Sequence, residues 1–180
     1  SSDVCSSDLH NPTSAIASKE YLAKLLELAK TYDFLVCSDE CYNDIFFGDL
    51  PASILDFPES MNWLCIRSLS KRSHMTGFRS GALISSNEEL MKKILLMRPA
   101  LGVGTPDFIQ DAAIAAWEDD QHPQTFSVEY KEKQHIIRTA LEAKGFKIFG
   151  GEASFYLWFS HPNFKTRSEE HTSELQSPCN

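Results

Sequence analysis

The sequence predicts an α/β fold: a three-layer sheet with helices on both faces, followed by part of a smaller α+β domain. Short apolar runs of strand length alternate with helical periodicity along the first two thirds of the chain. Polar clusters follow directly after two of those runs. Beyond about residue 120 the pattern changes to one long helix and two short strands, which favours a second domain.

The first elements are predicted from periodicity and capping residues. Ser18 suits the N-cap of a helix over 19–32, because apolar residues there recur at i, i+3, i+4 and i+7. Ser86 begins a capping-box spacing with Glu89, which predicts a helix over 88–97. Three apolar runs predict buried strands, at 34–37, 63–66 and 82–84.

The later elements are predicted in the same way. Pro106 suits the first turn of a helix that reaches Trp117. A long helix then ends near Lys144, before Gly145 as its C′ residue. Two strands follow, at 146–149 and 155–159. We therefore expect residues 10–120 to form part of a large domain and residues 121–166 part of a small one.

Composition excludes several classes of function. A net charge of -8 disfavours nucleic-acid binding, and the chain has no apolar run long enough to span a membrane. Five cysteines without CxxC spacing indicate neither a disulfide framework nor a zinc site. We expect a cytoplasmic protein without a bound metal.

Both ends of the chain are polar and lack periodicity. The run RSEEHTSELQS resembles the translation of a common short-read sequencing adapter, and DVCSSDL resembles the translation of its reverse complement. We therefore interpret residues 1–9 and 167–180 as adapter-like tails on a fragment, and we expect them to make few contacts with the rest.

Two polar clusters fall at the carboxyl ends of predicted strands, where open α/β sheets bind ligands. The first contains Asp39 and Tyr42, and the second contains Ser68, Ser70 and Lys71. Eight residues later comes Arg79. A carboxylate, a phenol, hydroxyls, an amine and a guanidinium would suit an anionic heteroaromatic cofactor that is bound through an amine.

At these residues the chain resembles the class I/II aminotransferases that use pyridoxal 5'-phosphate. The main motif is S-x-S-K-x-x-x-x-x-G-x-R-x-G. Two shorter motifs, N-P and D-x-x-Y, stand at the expected order and spacing. The matching residues are Asn11, Pro12, Asp39, Tyr42, Ser68, Ser70, Lys71, Gly77, Arg79 and Gly81. The resemblance implies a fold-type-I architecture.

The resemblance also implies a role for each residue. Lys71 would form the Schiff base (the internal aldimine) and move the substrate proton, and Asp39 would pair with the pyridine nitrogen. Tyr42 and Asn11 would hydrogen-bond the phenolic oxygen of the cofactor. The phosphate would be held by Ser68, Ser70 and Arg79.

Several segments look most like succinyldiaminopimelate aminotransferases of lysine biosynthesis, among them SLSKRS, DECY and SFYLW. The substrates would be an amino acid and a 2-oxo acid, and the parent enzyme a homodimer. Two departures stand out: Ser14, and the stretch 152–154, where the family usually has glycines. Another enzyme with the same cofactor, such as a C–S lyase or a decarboxylase, remains an alternative, as does an inactive remnant.

Overall fold

A four-stranded mixed sheet organises the structure, which is a computed structural model. It describes residues 4–7 (backbone only), 13–102, 104–151 and 153–163. The strands are β1 (Val4–Ser7), β2 (Val36–Asp39), β3 (Trp63–Ser68) and β4 (Gly81–Ile84), in that spatial order. The first three are mutually parallel, and β4 is antiparallel to β3. The predicted α/β class is confirmed.

Helix α1 (Lys19–Tyr32) forms as predicted. The Ser18 side chain accepts a hydrogen bond from the Tyr21 N–H, and Asp33 ends the helix in the left-handed conformation. Its apolar face packs on the sheet and encloses the main core. That core comprises Leu22, Leu26, Ala29, Val36, Ile54, Trp63 and Cys65.

The other helices are α2 (Leu69–Arg72), α3 (Glu88–Met97), α4 (Asp107–Glu118) and α5 (Gln121–Glu142). Strands β5 (Lys147–Phe149) and β6 (Trp158–Ser160) form a separate antiparallel pair. β4 begins at Gly81. A larger residue would not fit at this position, because its Cβ would meet the Arg67 carbonyl oxygen at 2.5 Å. None of the described helices is both long and apolar enough to cross a bilayer.

Strand β2 corrects the predicted strand 34–37. It begins at Val36 because pairing with β3 begins there, opposite Trp63. The backbone before it is still leaving α1, since the Phe34 N–H bonds the Ala29 carbonyl. Ser38 and Asp39 belong to the end of β2, because their backbone groups pair with β3 although their side chains are polar.

Two further boundaries differ from prediction. Helix α3 is capped by Asn87 and not by Ser86, since the Asn87 side chain accepts from the Leu90 N–H at 3.0 Å. The second strand of the small sheet is β6, and the predicted strand 155–159 covers only its first two residues. Residues 155–157, which were predicted as strand but lie outside β6, follow Ser154, whose φ of +65° breaks the extended conformation.

Strand β1 lies in the predicted tail 1–9. Its four residues pair in parallel with β2, from Val4 opposite Val36 to Ser7 opposite Asp39. The expectation that this tail makes few contacts is therefore wrong for residues 4–7. Backbone groups along the edge of β2 accept any extended segment, so pairing here does not depend on side-chain pattern. The tail 167–180 lies outside the described residues.

Candidate active site

The carboxyl ends of β2 and β3 bring two of the predicted clusters to one edge of the sheet. Asp39 ends β2 opposite Ile66, and Ser68 ends β3 two residues further along. The Ser68 side chain accepts from the Ser70 N–H at 3.1 Å and so caps α2. Lys71 therefore lies in the single turn that follows β3, at the same edge as Asp39.

The loop after β2 fixes the Asp39 carboxylate. Its Oδ1 atom accepts a hydrogen bond from the Cys41 backbone N–H at 3.2 Å. Burial, together with the hydrogen bond to Asp39, raises the pKa of the Cys41 thiol to about 12, and the nearby Lys71 charge opposes this shift. The Cys41 thiol therefore stays neutral and does not compete with the lysine as a nucleophile.

Two aromatic residues from the far end of the chain complete this region. The Lys71 Nζ atom lies 5.4 Å from the centre of the Phe155 ring. Tyr42 meets the same ring edge-on, with centroids 5.8 Å apart. The Tyr42 and Tyr156 hydroxyls are 3.1 Å apart, within hydrogen-bonding distance. Sequence reasoning gave Phe155 and Tyr156 no role, although both lie in the SFYLW segment that carried part of the family resemblance.

Polar contacts hold the Phe155 segment in place. The Gln134 side-chain amide on α5 donates to the carbonyls of Ser154 and Tyr156, both at 2.9 Å. The Ser14 hydroxyl donates to the Tyr156 carbonyl at 3.2 Å. Ser14 and Ser154 have φ of +58° and +65°, a region that favours glycine. The two departures from the family pattern thus include residues in left-handed backbone.

Ser70 and Arg79, two of the residues predicted to bind the phosphate, each form a hydrogen bond with Thr76. The Ser70 carbonyl accepts from the Thr76 hydroxyl at 3.0 Å. Arg79 is exposed, has a φ of +53° and donates to the Thr76 carbonyl at 3.2 Å. These bonds place Arg79 in the loop that follows α2, without a recorded contact to Lys71. Asn11 lies outside the described residues.

His74 packs against aromatic residues. Its ring stacks on Phe126 with centroids 3.8 Å apart, and its Nε2 atom lies 2.8 Å from the Tyr130 hydroxyl. Partial burial lowers the pKa of His74, although the Glu129 charge acts in the opposite direction. The His74 ring therefore packs between aromatic side chains.

A cavity of about 1040 Å³ lies elsewhere, between the start of α1 and the loop after β2. Its lining includes Asn43, Asp44 and Arg67 but none of the candidate site residues. Chemistry therefore locates the site better than cavity size does. The carboxylate, phenol, amine and hydroxyls at the sheet edge match the ring nitrogen, phenolic oxygen and aldehyde of pyridoxal 5'-phosphate, so the donor set fits this cofactor.

Comparison with known proteins identifies the family. The family model described as aminotransferase class I and II matches residues 4–176. An LL-diaminopimelate aminotransferase of Aquifex aeolicus is 33% identical over 163 residues, which are 89% of this chain and 42% of that protein. A 4-dedimethylamino-4-oxo-anhydrotetracycline transaminase, OxyQ of Streptomyces rimosus, is 32% identical over 82% of this chain and 42% of that protein.

Solved structures agree. An aminotransferase from Neisseria meningitidis superposes with a TM-score of 0.80 at 32% identity, over 88% of this chain and 42% of that one. The fold is that of the fold-type-I aminotransferases. The chain spans about two fifths of the length of the relatives it matches. It belongs to the class I and II aminotransferases, a family that depends on pyridoxal phosphate.

Proposed function

We propose that the protein containing this chain transfers an amino group from an amino acid to a 2-oxo acid with pyridoxal phosphate. The observation that carries the proposal is that Lys71 and Tyr42 both contact the Phe155 ring, while Asp39 ends the neighbouring strand at the same carboxyl edge of the sheet. When bound, the cofactor supplies an aldehyde that reacts with amines and a ring that accepts electrons.

The residues of the chain would then hold and protonate the reactants. The Lys71 amine binds the cofactor aldehyde and carries a proton to and from the substrate α-carbon. Asp39, fixed by the Cys41 N–H, holds a proton on the ring nitrogen. Tyr42, which is bonded to Tyr156, donates to the phenolic oxygen. Ser68, Ser70 and Arg79 are proposed to hold the phosphate.

The substrate class is proposed from the relatives. An LL-diaminopimelate aminotransferase is among the most similar proteins, and the sequence resembles succinyldiaminopimelate aminotransferases. Succinyldiaminopimelate as amino donor with 2-oxoglutarate as acceptor, which yields glutamate, is therefore the first substrate pair to test. Assembly as a homodimer in the cytoplasm belongs to the same proposal.

A spectral titration tests cofactor binding by this chain. Added pyridoxal phosphate should give a visible band with the unmodified chain, and Lys71→Ala should lose it. Lys144→Ala is the matched control, because Lys144 is exposed on another part of the fold. An equal band in all three proteins would contradict the proposed role of Lys71.

Activity requires a longer protein, because the chain covers about 42% of its relatives. A hybrid in which residues 10–166 replace the matching segment of the Aquifex aeolicus relative should transfer the glutamate amino group, whereas the chain alone should be inactive or nearly so. Release of ammonia without amino transfer would instead favour the elimination chemistry of a C–S lyase.

A further inference from the structure

A network of buried and part-buried charged residues lies next to the candidate site. It comprises Glu40, Arg67, Asp44 and Arg72, and it ends on the exposed carboxylate of Asp120. Three residues of the candidate site are each adjacent in sequence to a residue of this network. The pairs are Asp39 with Glu40, Ser68 with Arg67, and Lys71 with Arg72. Ser68 and Arg67 are successive residues of β3 and so point to opposite sides of the sheet. Glu40 and Arg72 are only 1% and 3% exposed.

The first link joins β2 to β3. The Glu40 carboxylate pairs with the Arg67 guanidinium at 2.6 Å. It also accepts from the Ser53 hydroxyl at 2.7 Å and from the Ile54 N–H at 2.8 Å. These hydrogen bonds compensate for the burial of the Glu40 charge, and they fix the positions of the groups that donate them.

The second link runs through Asp44 to α2. Asp44 lies 3.4 Å from an Arg67 nitrogen and 3.6 Å from the Arg72 Nε atom. The Asp44 backbone carbonyl accepts from the Ser127 hydroxyl of α5 at 3.1 Å. The two arginines therefore share one carboxylate, which is itself tied to the long helix.

The last link joins α2 to the junction of α4 and α5. One terminal nitrogen of Arg72 donates to the Ala116 carbonyl at 2.6 Å and to the Asp119 carbonyl at 3.3 Å. The other pairs with the Asp120 carboxylate at 2.6 Å. The guanidinium also lies 5.1 Å from the Trp117 ring. Only a planar fork with several donors can make this set of contacts.

The length of α2 makes these contacts decisive for Lys71. The helix has four residues, and a single turn is too short to be stable by itself. Its buried residues are Leu69 and Arg72, which lie three positions apart and so on one face. Lys71 is part-exposed between them. The direction of its side chain thus depends on how firmly that face is held.

We propose that Arg72 is a positioning residue for Lys71: by tying α2 to the junction of α4 and α5, it directs the Lys71 amine toward the cofactor. This rests on the proposed function of Lys71. A buried ion network can also serve stability alone. Positioning makes a different prediction, because a lysine at position 72 keeps the charge but cannot form the fork.

Pyridoxal phosphate serves as the probe of Lys71, with the 180-residue chain itself. The chain is incubated with pyridoxal phosphate, reduced with borohydride and digested, and mass spectrometry gives the label on Lys71 relative to exposed lysines such as Lys144. Arg72→Lys should lower this ratio about tenfold or more, since small misplacements of a reacting group cost large factors in rate. Glu88→Gln, which breaks an exposed pair with Lys92, should leave the ratio unchanged.

Arg72→Met should lower the ratio at least as far, and where it fails to fold, Arg72→Lys decides. An unchanged ratio in Arg72→Lys would overturn the proposal. Amide hydrogen exchange of residues 69–73 without cofactor gives a second readout. Exchange should be faster in Arg72→Lys than in the unmodified chain, and equal exchange would also overturn the proposal. Absence of preferred labelling at Lys71 in the unmodified chain would instead contradict the proposed function, while exchange still decides the role of Arg72.

Discussion

The region around α1, β2 and β3 and the region from α4 to β6 are stabilised by different forces. The first has a continuous apolar core, in which Leu22, Val36 and Trp63 are buried. The second buries mainly small or polar side chains, among them Ser127, Gln134 and Ser154. Large apolar residues of its helices, such as Phe108 and Ile136, are exposed.

This difference separates the parts of the candidate site. Asp39 ends β2 and Lys71 lies in the turn after β3, both in the apolar region. Phe155 and Tyr156 belong to the polar region, and their segment is held through Gln134. Substitutions in the first region should therefore act on stability or on chemistry. Substitutions in the second region should act mainly on the positions of the Phe155 and Tyr156 rings.

Lys71→Ala should have the largest effect. In the full-length hybrid, amino transfer should fall by at least the roughly 10²–10⁴-fold typical of general acid–base help, because the amine proposed to bind the cofactor and move the proton is lost. The measurement is the initial rate with glutamate and a 2-oxo acid, with Lys144→Ala as control. Undiminished turnover would remove the central assignment.

Asp39→Ala should raise the barrier to amino transfer by several kcal/mol, each ~1.4 kcal/mol being about tenfold in rate. The cofactor ring nitrogen would lose the partner that keeps it protonated. Asp49→Ala, an exposed carboxylate in the loop after β2, is the matched control. Equal rates for the two variants would contradict the role of Asp39.

The contrast between the two regions is tested by one buried and one exposed apolar residue. Leu22→Ala should lower the free energy of unfolding by about 2–5 kcal/mol, because it leaves a cavity in the core. Ile136→Ala on α5 should change it by about 0.5 kcal/mol or less. Urea unfolding of both variants measures the difference, and equal losses would show that the second region has a comparable apolar core.

His74 should give the smallest effect, a pH dependence of stability. Its pKa is lowered in the folded state from the ordinary value of 6.5, so the folded protein favours the neutral ring. The stability that depends on the neutral His74 ring is therefore fully present above about pH 6.5 and is lost as the pH falls below it. His74→Asn suits the positive φ and cannot titrate, so its melting temperature should fall less between about pH 7.5 and pH 5. An identical fall of the melting temperature in His74→Asn and in the unmodified chain would refute the assignment.

Local signals were sufficient to predict much of the fold. The limits of α1 and α3 follow from periodicity, and Ser18 follows from capping preference. Pairing between distant strands determined the features that local sequence signals did not predict. Strand β2 starts two residues late because β3 determines its register, and β1 forms in a segment with no strand pattern.

The candidate site divides in the same way. Asp39, Tyr42 and Lys71 were found from short motifs, because each lies in or directly after a strand end. Phe155 and Tyr156 reach them from more than 80 positions away, through contacts of Gln134 and Ser14 that no local pattern encodes. The positions of Asn11 and Arg79 relative to the cofactor remain predictions.

Site-resolved borohydride labelling of the unmodified chain tests the central claim most directly. A lysine amine condenses with the cofactor aldehyde with loss of water, and hydride reduction then fixes the link for mass spectrometry. Lys71 should carry most of the pyridoxyl label at low pyridoxal phosphate concentration, because Asp39 and Tyr42, the proposed partners of the cofactor ring, lie at the same edge of the sheet as that amine. Label spread evenly over exposed lysines, with Lys71 no richer than Lys144, would contradict the assignment of Lys71 as the cofactor-binding residue.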